Sequence, residues 1–474
     1  MRRRRQRRKR AIMAICFFLV VIAVILVATV ALKSCDGKPN SDNKQSEAGL
    51  KPGKEDKEAA AAKAAAERQA KIDEADLLAA QYDYDSAIEL LKGLEGYDTD
   101  TELQDKVAGY EATKATCVPV NIEEVTHIFY HTLVVDEERA FGNQANDNQC
   151  IGNNQWMTTI DEFNAITQEM YDRGYVLVSL HDLYEVETDE NGNEVYVPAT
   201  IMLPEGKKAF VLSLDDLSYY HSYDNYGYAA RLILDENGDV MNEYYDAEGN
   251  LHIGAYDCVP LLDQFVEEHP DASYRGAKGI IALTGYNGVL GYRTDESYEI
   301  GHQYCDRHME AWINAHPDFS IESERAAAKE VADAMKANGW EFASHTWGHL
   351  RVGDSTLERL QADNERWQNN VVPVVGETDT IIFAHGQDLE DWGDYDTANN
   401  AKYQYFRSEG FNIFCNVDAT QYAVWFDDDY MRMGRRNLDG YRIYYNAIGE
   451  QNNVSDLFDA AEILDEDRPP VPPL

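Results

Sequence analysis

Residues 340–350 read Trp-Glu-Phe-Ala-Ser-His-Thr-Trp-Gly-His-Leu. Residues 341–344, in which Phe342 and Ala343 stand between two polar residues, predict a strand, after which a turn or helix begins. Imidazoles four residues apart lie on one face of a helix, and this spacing suits a divalent metal ion. His345 and His349 are therefore candidate metal ligands. Taken alone, the segment is weak evidence, because a helix-capping histidine and a surface histidine would explain it as well.

A second predicted strand ends in two adjacent carboxylates. Residues 210–216 read Phe-Val-Leu-Ser-Leu-Asp-Asp, so Asp215 and Asp216 follow an apolar run. The carboxyl ends of strands are where α/β folds present functional groups. An ordinary Asp-Asp turn is the simpler interpretation of this segment by itself. Combined with His345 and His349, however, one aspartate completes a metal site with open positions, and the other remains as a base.

Strand and helix patterns alternate from residue 118 onward. The predicted strands are 125–130, 176–179, 209–214, 279–283, 341–344, 380–383 and 411–415. The predicted helices are 160–173, 259–268, 322–338 and 355–369. This alternation indicates an α/β protein with a parallel sheet or barrel.

The N-terminal 32 residues predict a membrane anchor. Residues 1–10 form a basic stub, and the apolar run 11–32 is long enough to cross a hydrocarbon core of about 30 Å. The positive-inside rule places the stub in the cytoplasm and the catalytic domain outside the cell, on a single-pass cell-membrane protein. A cleaved signal peptide is the alternative, but its apolar core is usually about 7–15 residues long.

The rest of the chain divides by composition. Residues 33–57 predict a flexible linker, and the Ala/Glu/Lys-rich region 58–116 predicts helices that resemble a single tetratricopeptide-like hairpin. One such repeat buries little by itself, so a packing or spacer role is expected. The catalytic domain is expected at 118–460, and the Pro-rich segment 461–474 is expected to be a disordered tail.

The charge balance limits the partners. The 474 residues contain 42 Lys and Arg against 85 Asp and Glu, which gives a formal charge of −43. An acidic surface repels phosphate backbones, so a nucleic-acid partner is not expected. The content of 44% hydrophobic and 11% aromatic residues argues against a disordered chain.

Four segments are similar to motifs of one known family. They are Met-Thr-Thr-Ile-Asp-Glu-Phe at 157–163, Tyr-Asp-Arg-Gly-Tyr-Val-Leu-Val-Ser-Leu-His-Asp-Leu at 171–183, Leu-Asp-Asp at 214–216, and the run 331–349 that ends in His-Thr-Trp-Gly-His. Together they resemble the polysaccharide deacetylase family, also called carbohydrate esterase family four. The resemblance covers residues 125–445 and implies a distorted (β/α) barrel in a membrane-anchored bacterial protein.

The resemblance also implies a site and an activity. Asp215 would be the catalytic base, and Asp216, His345 and His349 would hold a divalent metal, with zinc the first choice and cobalt or manganese acceptable. The implied reaction is metal-assisted hydrolysis of acetyl groups on a carbohydrate, such as an N-acetylglucosamine-type glycan or peptidoglycan of the cell wall.

The sequence departs from the family at three points. Leu217 stands where the family usually has Gly. Residues 382–388 lack the family's Arg and Pro, and that Arg normally orients the base. No histidine follows His385, so the family's late general acid has no match. We therefore predict His385 as the replacement acid, with His131 as a second candidate, and we interpret Arg435 and Arg436 as solvated loop charges.

Aromatic residues near the two motifs suggest a sugar-binding groove. Tyr219, Tyr220 and Trp347 are the candidate substrate-binding residues, because aromatic rings pack against the apolar faces of sugars. Two other functions remain open: a carbohydrate-binding protein that keeps the fold and metal but has lost catalysis, and a glycoside hydrolase. The paired histidines argue against the hydrolase, since its chemistry requires only two carboxylic acids.

Overall fold

A closed ring of parallel strands lies at the centre of the structure, a computed structural model that describes residues 54–390 and 393–474. In the described residues the α-helices, numbered α1 to α14 in chain order, span Lys54–Ala80, Tyr84–Lys92, Thr101–Lys114, Glu137–Phe141, Asn148–Trp156, Ile160–Asp172, Cys258–Glu268, Arg307–Ala315, Ile321–Ala337, Leu357–Asn370, Val372–Val375, Ala401–Ser408, Gly440–Ala447 and Ala460–Ile463. The strands, numbered β1 to β16, span Cys117–Pro119, Thr126–Tyr130, Tyr175–Leu177, Tyr184–Thr188, Glu194–Pro198, Met202–Pro204, Lys208–Asp215, Ala229–Leu234, Val240–Tyr245, Leu251–Gly254, Ile280–Leu283, Glu341–Ser344, Thr380–Ile382, Ile413–Val417, Val424–Phe426 and Met431–Asn437.

Seven parallel strands form the ring in the order β7-β11-β12-β13-β14-β16-β2, and β2 pairs again with β7. β3 and β11 pair in parallel with the same edge of β7. β3 pairs with its first half and β11 with its second half. Helices α6, α7, α9 and α10 lie where helical periodicity predicts them. The expectation of an α/β barrel is thus confirmed. Among the ring strands that the structure describes, only β16 lacks a matching strand in the sequence prediction.

The barrel interior explains how β16 fits into the ring. Side chains alternate along a strand, so every second residue faces the same side. Met431 and Met433 are fully buried in one hydrophobic cluster with Ile413 and Cys415 of the neighbouring strand β14. Arg435 continues this alternation, and its side chain has no exposed surface. The prediction that Arg435 lies on a solvated loop is therefore wrong.

The helical region packs against the barrel and shares its core. Ile72, Ala87 and Leu91 of α1 and α2 belong to the same buried cluster as Ile280 and Cys415 of the barrel strands. Residues Ala65–Leu474 form one compact unit. Helices α1 and α2 therefore add buried apolar side chains to the barrel core.

The C-terminal segment 461–474 is ordered against the barrel, so the prediction of a disordered tail is wrong. Arg468 forms an ion pair with Glu162 at 2.6 Å, and both side chains are fully buried. Arg468 also donates hydrogen bonds to the backbone of Asn154 and Met157. The side chain of Asn154 in turn donates to the carbonyls of Pro469 and Pro470. A buried charge that is paired in this way anchors a segment whose composition alone suggests disorder.

The predicted stub and membrane helix at residues 1–32 lie outside the described residues. Within residues 54–390 and 393–474, no helix is both long and apolar enough to cross a membrane. The five cysteines that the structure describes are all free thiols.

Candidate metal centre

The candidate residues meet at the carboxyl end of the barrel. Asp215 is the last residue of β7, and Asp216 follows it. His345 follows β12 directly, and His385 lies three residues after β13. Parallel strands in a closed ring bring their carboxyl ends to one rim, so these side chains come together although they are far apart in sequence.

Asp216, His345 and His349 form a group that could hold a metal ion. One ligand atom from each residue lies within 4.8 Å of the other two. The Nε2 atom of His349 is 3.6 Å from Oδ2 of Asp216, and the two imidazole rings are 5.0 Å apart. One carboxylate and two imidazoles form a ligand set that zinc and other first-row divalent ions accept. The donor types and their convergence therefore fit a divalent metal.

His345 is held in the state that a metal requires. Its Nδ1 lies 2.6 Å from the carbonyl of Ile382, which fixes the ring orientation and leaves Nε2 facing the carboxylates. Burial lowers the pKa of His345 to about 4, against the opposing effect of Asp215 and Asp216. The imidazole is thus neutral at physiological pH, as metal coordination demands.

The two histidines converge through a turn, so the helical geometry expected for them is wrong. No helix covers residues 345–350. Thr346 and His349 instead adopt left-handed backbone conformations with φ of 62° and 52°. Asp216 and His385 share this strain, with φ of 62° and 57°. Left-handed non-glycine residues each cost about 1–3 kcal/mol and cluster at functional sites, and four of them surround the candidate metal centre.

Asp215 is held by an arginine that sequence reasoning missed. Arg435 donates two hydrogen bonds to the Asp215 carboxylate, at 2.7 and 3.0 Å, and one to Ser213 Oγ at 3.0 Å. Both members of the ion pair are buried, with 0% and 4% of their side chains exposed. Burial raises the pKa of Asp215, but Arg435 and His345 outweigh that effect and hold it well below its usual range. Asp215 is therefore ionised, as a base must be.

The predicted aromatic sugar contacts lie elsewhere than expected. Tyr220 is buried and donates a 2.6 Å hydrogen bond to Oδ1 of Asp216, so it orients a ligand of the metal. Tyr219 is 2% exposed, and its hydroxyl accepts a hydrogen bond from Asn242. Trp347 donates its indole N–H to Asp295 at 2.7 Å. The structure therefore does not bring these three side chains to the cavity that adjoins the metal ligands.

That cavity, which we call the central cavity, has a volume of about 620 Å³ and is lined by the four candidate residues of the two motifs. This volume is typical of small-molecule sites. His385 and His131 both line it, and the ring of His385 lies 4.3 Å from that of His349. Trp156 and Leu474 add exposed apolar surface, 41% and 68% exposed, so the C-terminal segment forms part of the wall.

Comparison with known proteins agrees with the resemblance noted in the sequence. Residues 308–400 match the family model of polysaccharide deacetylase. This segment includes His345, His349 and His385, and the match supports a carbohydrate deacetylase. No curated protein sequence matches the chain.

Two solved structures resemble the chain at low identity. A Streptococcus pyogenes deacetylase, PplD, in complex with acetate is 13% identical, with a TM-score of 0.31, 68% of this chain covered and 93% of that one. A polysaccharide deacetylase from Bacillus cereus is 11% identical, with a TM-score of 0.34, 74% of this chain covered and 70% of that one.

Proposed function

We propose that the protein is a metal-dependent hydrolase that removes acetyl groups from cell-surface or extracellular carbohydrate. One observation carries the proposal: an ionised, arginine-held Asp215 lies beside the Asp216, His345 and His349 set in an open cavity. The Nε2 atom of His345 is 3.8 Å from Oδ2 of Asp215, so the base and the metal ligands adjoin. A base next to a three-ligand metal site is the arrangement that metal-assisted hydrolysis needs.

Each residue has a distinct task in this reaction. Asp216, His345 and His349 would hold a divalent ion, with zinc the first choice and cobalt or manganese acceptable, which when bound would polarise the acetyl carbonyl and lower the pKa of water. Asp215 accepts the proton of the attacking water, and Arg435 keeps the carboxylate oriented and ionised. Tyr220 fixes one oxygen of Asp216, which leaves the other oxygen toward His349.

We assign the proton donor for the leaving amine to His385. It lines the central cavity next to His349, within reach of a group held by the metal ligands. Its pKa is lowered by burial and by the neighbouring His349 and Arg351. His131 lines the same cavity after β2 and is the comparison residue. His385→Ala should retain metal binding and lose turnover. If His385→Ala turns over normally and His131→Ala does not, the role of proton donor belongs to His131.

We further propose a cell-wall glycan, of the N-acetylglucosamine or peptidoglycan type, as the substrate of a single-pass bacterial membrane protein. The apolar run 11–32 would tether the exported barrel close to the wall. Trp156 and Leu474 offer apolar surface to the faces of sugar rings at the cavity. The net charge of −43 favours neutral segments of the glycan over anionic wall polymers.

The direct test is acetate release from N-acetylglucosamine oligomers and from peptidoglycan. Wild-type protein should release acetate, lose activity with a chelator and regain it with zinc. Asp215→Asn should lower turnover by about 10²- to 10⁴-fold, the usual contribution of a general base. The matched control is Asp98→Asn, the same change at an exposed aspartate of the helical region. Metal binding without acetate release from any substrate would favour a carbohydrate-binding protein that has lost catalysis.

A further inference from the structure

A second cavity opens beside the central one, on the same rim of the barrel. This side cavity has a volume of about 750 Å³ and is lined by the loops that follow β12 and β13 and by residues of β14 and β16. Gly386 and Val417 line both cavities, so the two adjoin there. A Cβ atom added to Gly386 would lie 2.9 Å from the Cβ atom of Val417, and the φ of Gly386 is +65°. Only glycine therefore lets this loop pass so close to Val417. The two cavities therefore share part of their lining and lie side by side.

The described residues that line the side cavity are rich in hydrogen-bond acceptors. They include four carboxylates and one guanidinium: Asp354, Asp388, Glu390, Asp394 and Arg432. Arg432 is 2.7 Å from Asp388 in a buried ion pair, so the positive charge is matched within the wall. Asp354 and Asp394 are both exposed and have carboxylate side chains.

Two amide side chains of the same wall also have an unused acceptor. Asn416 is only 5% exposed, and its Oδ1 has no hydrogen-bond partner in the part of the chain that the structure describes. Oε1 of Gln387 likewise has no hydrogen-bond partner among the described residues. A buried amide oxygen without a partner costs about 1–3 kcal/mol, so rotation of either side chain toward a donor of a ligand in the cavity would be favourable.

The carboxylates of the side cavity do not converge on a single point. Within residues 54–390 and 393–474, the groups of side chains close enough to share a metal ion are Asp216 with His345 and His349, and Glu137 with Asp465 and Asp467. Neither group includes a carboxylate of the side cavity. A spread of acceptors over about 750 Å³ suits an extended, donor-rich molecule better than a bare cation.

We propose that the side cavity binds an amino sugar with a free ammonium group, which is a de-N-acetylated unit next to the unit in the central cavity. An ammonium group has three donors and no acceptor, and sugar hydroxyls add further donors. The inference rests on the proposed deacetylase function, because that reaction produces such units. The protein would then prefer glycan chains that already carry a deacetylated neighbour.

Binding of two tetrasaccharides to the full-length protein tests this preference. The glucosamine tetramer has no acetyl group, so wild-type protein can be titrated with it in mildly acidic buffer, where the amine is protonated. The N-acetylglucosamine tetramer is titrated against Asp215→Asn. We expect Asp354→Asn and Asp394→Asn each to weaken binding of the glucosamine tetramer by about two- to five-fold. Salt should diminish this loss. Binding of the acetylated tetramer should not change in either variant, and Asp98→Asn should change neither affinity.

The inference would be overturned if wild-type protein bound the glucosamine tetramer no more tightly than Asp215→Asn binds the acetylated tetramer. Unaltered binding of the glucosamine tetramer in both Asp354→Asn and Asp394→Asn would also overturn it. Acetate release is measured in parallel on the acetylated tetramer. Release without selectivity for glucosamine would leave the proposed function in place and remove the ammonium site. Selectivity without release would retain the site and remove the proposed function.

Discussion

Replacement of Arg435 by glutamine should destabilise the protein and disable the base at the same time. The change removes the guanidinium that holds Asp215 through two hydrogen bonds of 2.7 and 3.0 Å. Loss of one partner from a buried ion pair costs about 3–5 kcal/mol, because the remaining charge has no solvent. With 0% and 4% of the two side chains exposed, solvent cannot compensate here. We therefore expect the free energy of unfolding to fall by about 3–5 kcal/mol at neutral pH.

The pH dependence of this loss identifies its cause. The pKa of Asp215 is depressed in the folded state, so the ion pair contributes stability above the unfolded carboxyl pKa of about 3.9. That contribution is lost as the pH falls through the depressed folded pKa. The stability difference between wild type and Arg435→Gln should therefore narrow on acidification. Urea unfolding of both proteins from neutral to acidic pH measures this stability difference. A chelator is present so that no bound ion compensates.

Arg436→Gln is the matched control. Arg436 is the next residue of β16 and forms a two-bond ion pair with Asp456, at 2.7 and 2.8 Å, outside the central cavity. Its replacement should destabilise the protein without lowering kcat for acetate release. Arg435→Gln should lower kcat by about 10²-fold, the cost of a misplaced catalytic group. An unaltered unfolding free energy, or equal kcat values for the two variants, would refute the role given to Arg435.

Three further changes have defined outcomes. Tyr220→Phe removes a hydrogen bond to a metal-binding carboxylate and should weaken zinc affinity about tenfold in a competition assay; unaltered affinity would contradict that role. His181 lies 3.0 Å from Glu341 and 2.9 Å from Asp379, and these carboxylates raise its pKa to about 10 against burial. Its stabilisation of about 1–2 kcal/mol should be complete below pH 6.5 and disappear toward pH 10, and a His181→Asn variant should lack that dependence in thermal unfolding. Trp156→Ala should raise KM for glycan oligomers about three- to ten-fold and leave kcat unchanged; an altered kcat would place Trp156 in the chemistry.

The candidate metal ligands and most barrel strands could be predicted because their signals are local. An apolar run that ends in Asp215 and Asp216 identifies a buried parallel strand and the rim at which it ends. The run that forms β12 likewise identifies a strand and the rim at which it ends, directly before His345. The turn that carries His349 could not be predicted, since a four-residue spacing fits both a helix and two left-handed residues.

The aromatic residues show a different limit. Tyr219 and Tyr220 come three and four residues after Asp216, and this proximity suggests a sugar groove. A chain that leaves a strand can turn toward the solvent or back under the rim, and residue type does not distinguish the two. Here Tyr220 turns under Asp216 and stacks on Tyr286, with ring centroids 4.8 Å apart. Which side chains line the cavity depends on this turn, and so on packing between distant segments.

The missed arginine follows from the closed barrel. Residues 431–437 read Met-Arg-Met-Gly-Arg-Arg-Asn, a composition typical of a polar loop. Three arginines are buried there, because each has a carboxylate partner from another part of the chain, as Arg435 has in Asp215. In a closed ring, side chains from several strands reach the same point above the core. An arginine absent from residues 382–388 can thus be supplied by β16, so its absence from that segment does not imply an unsupported base.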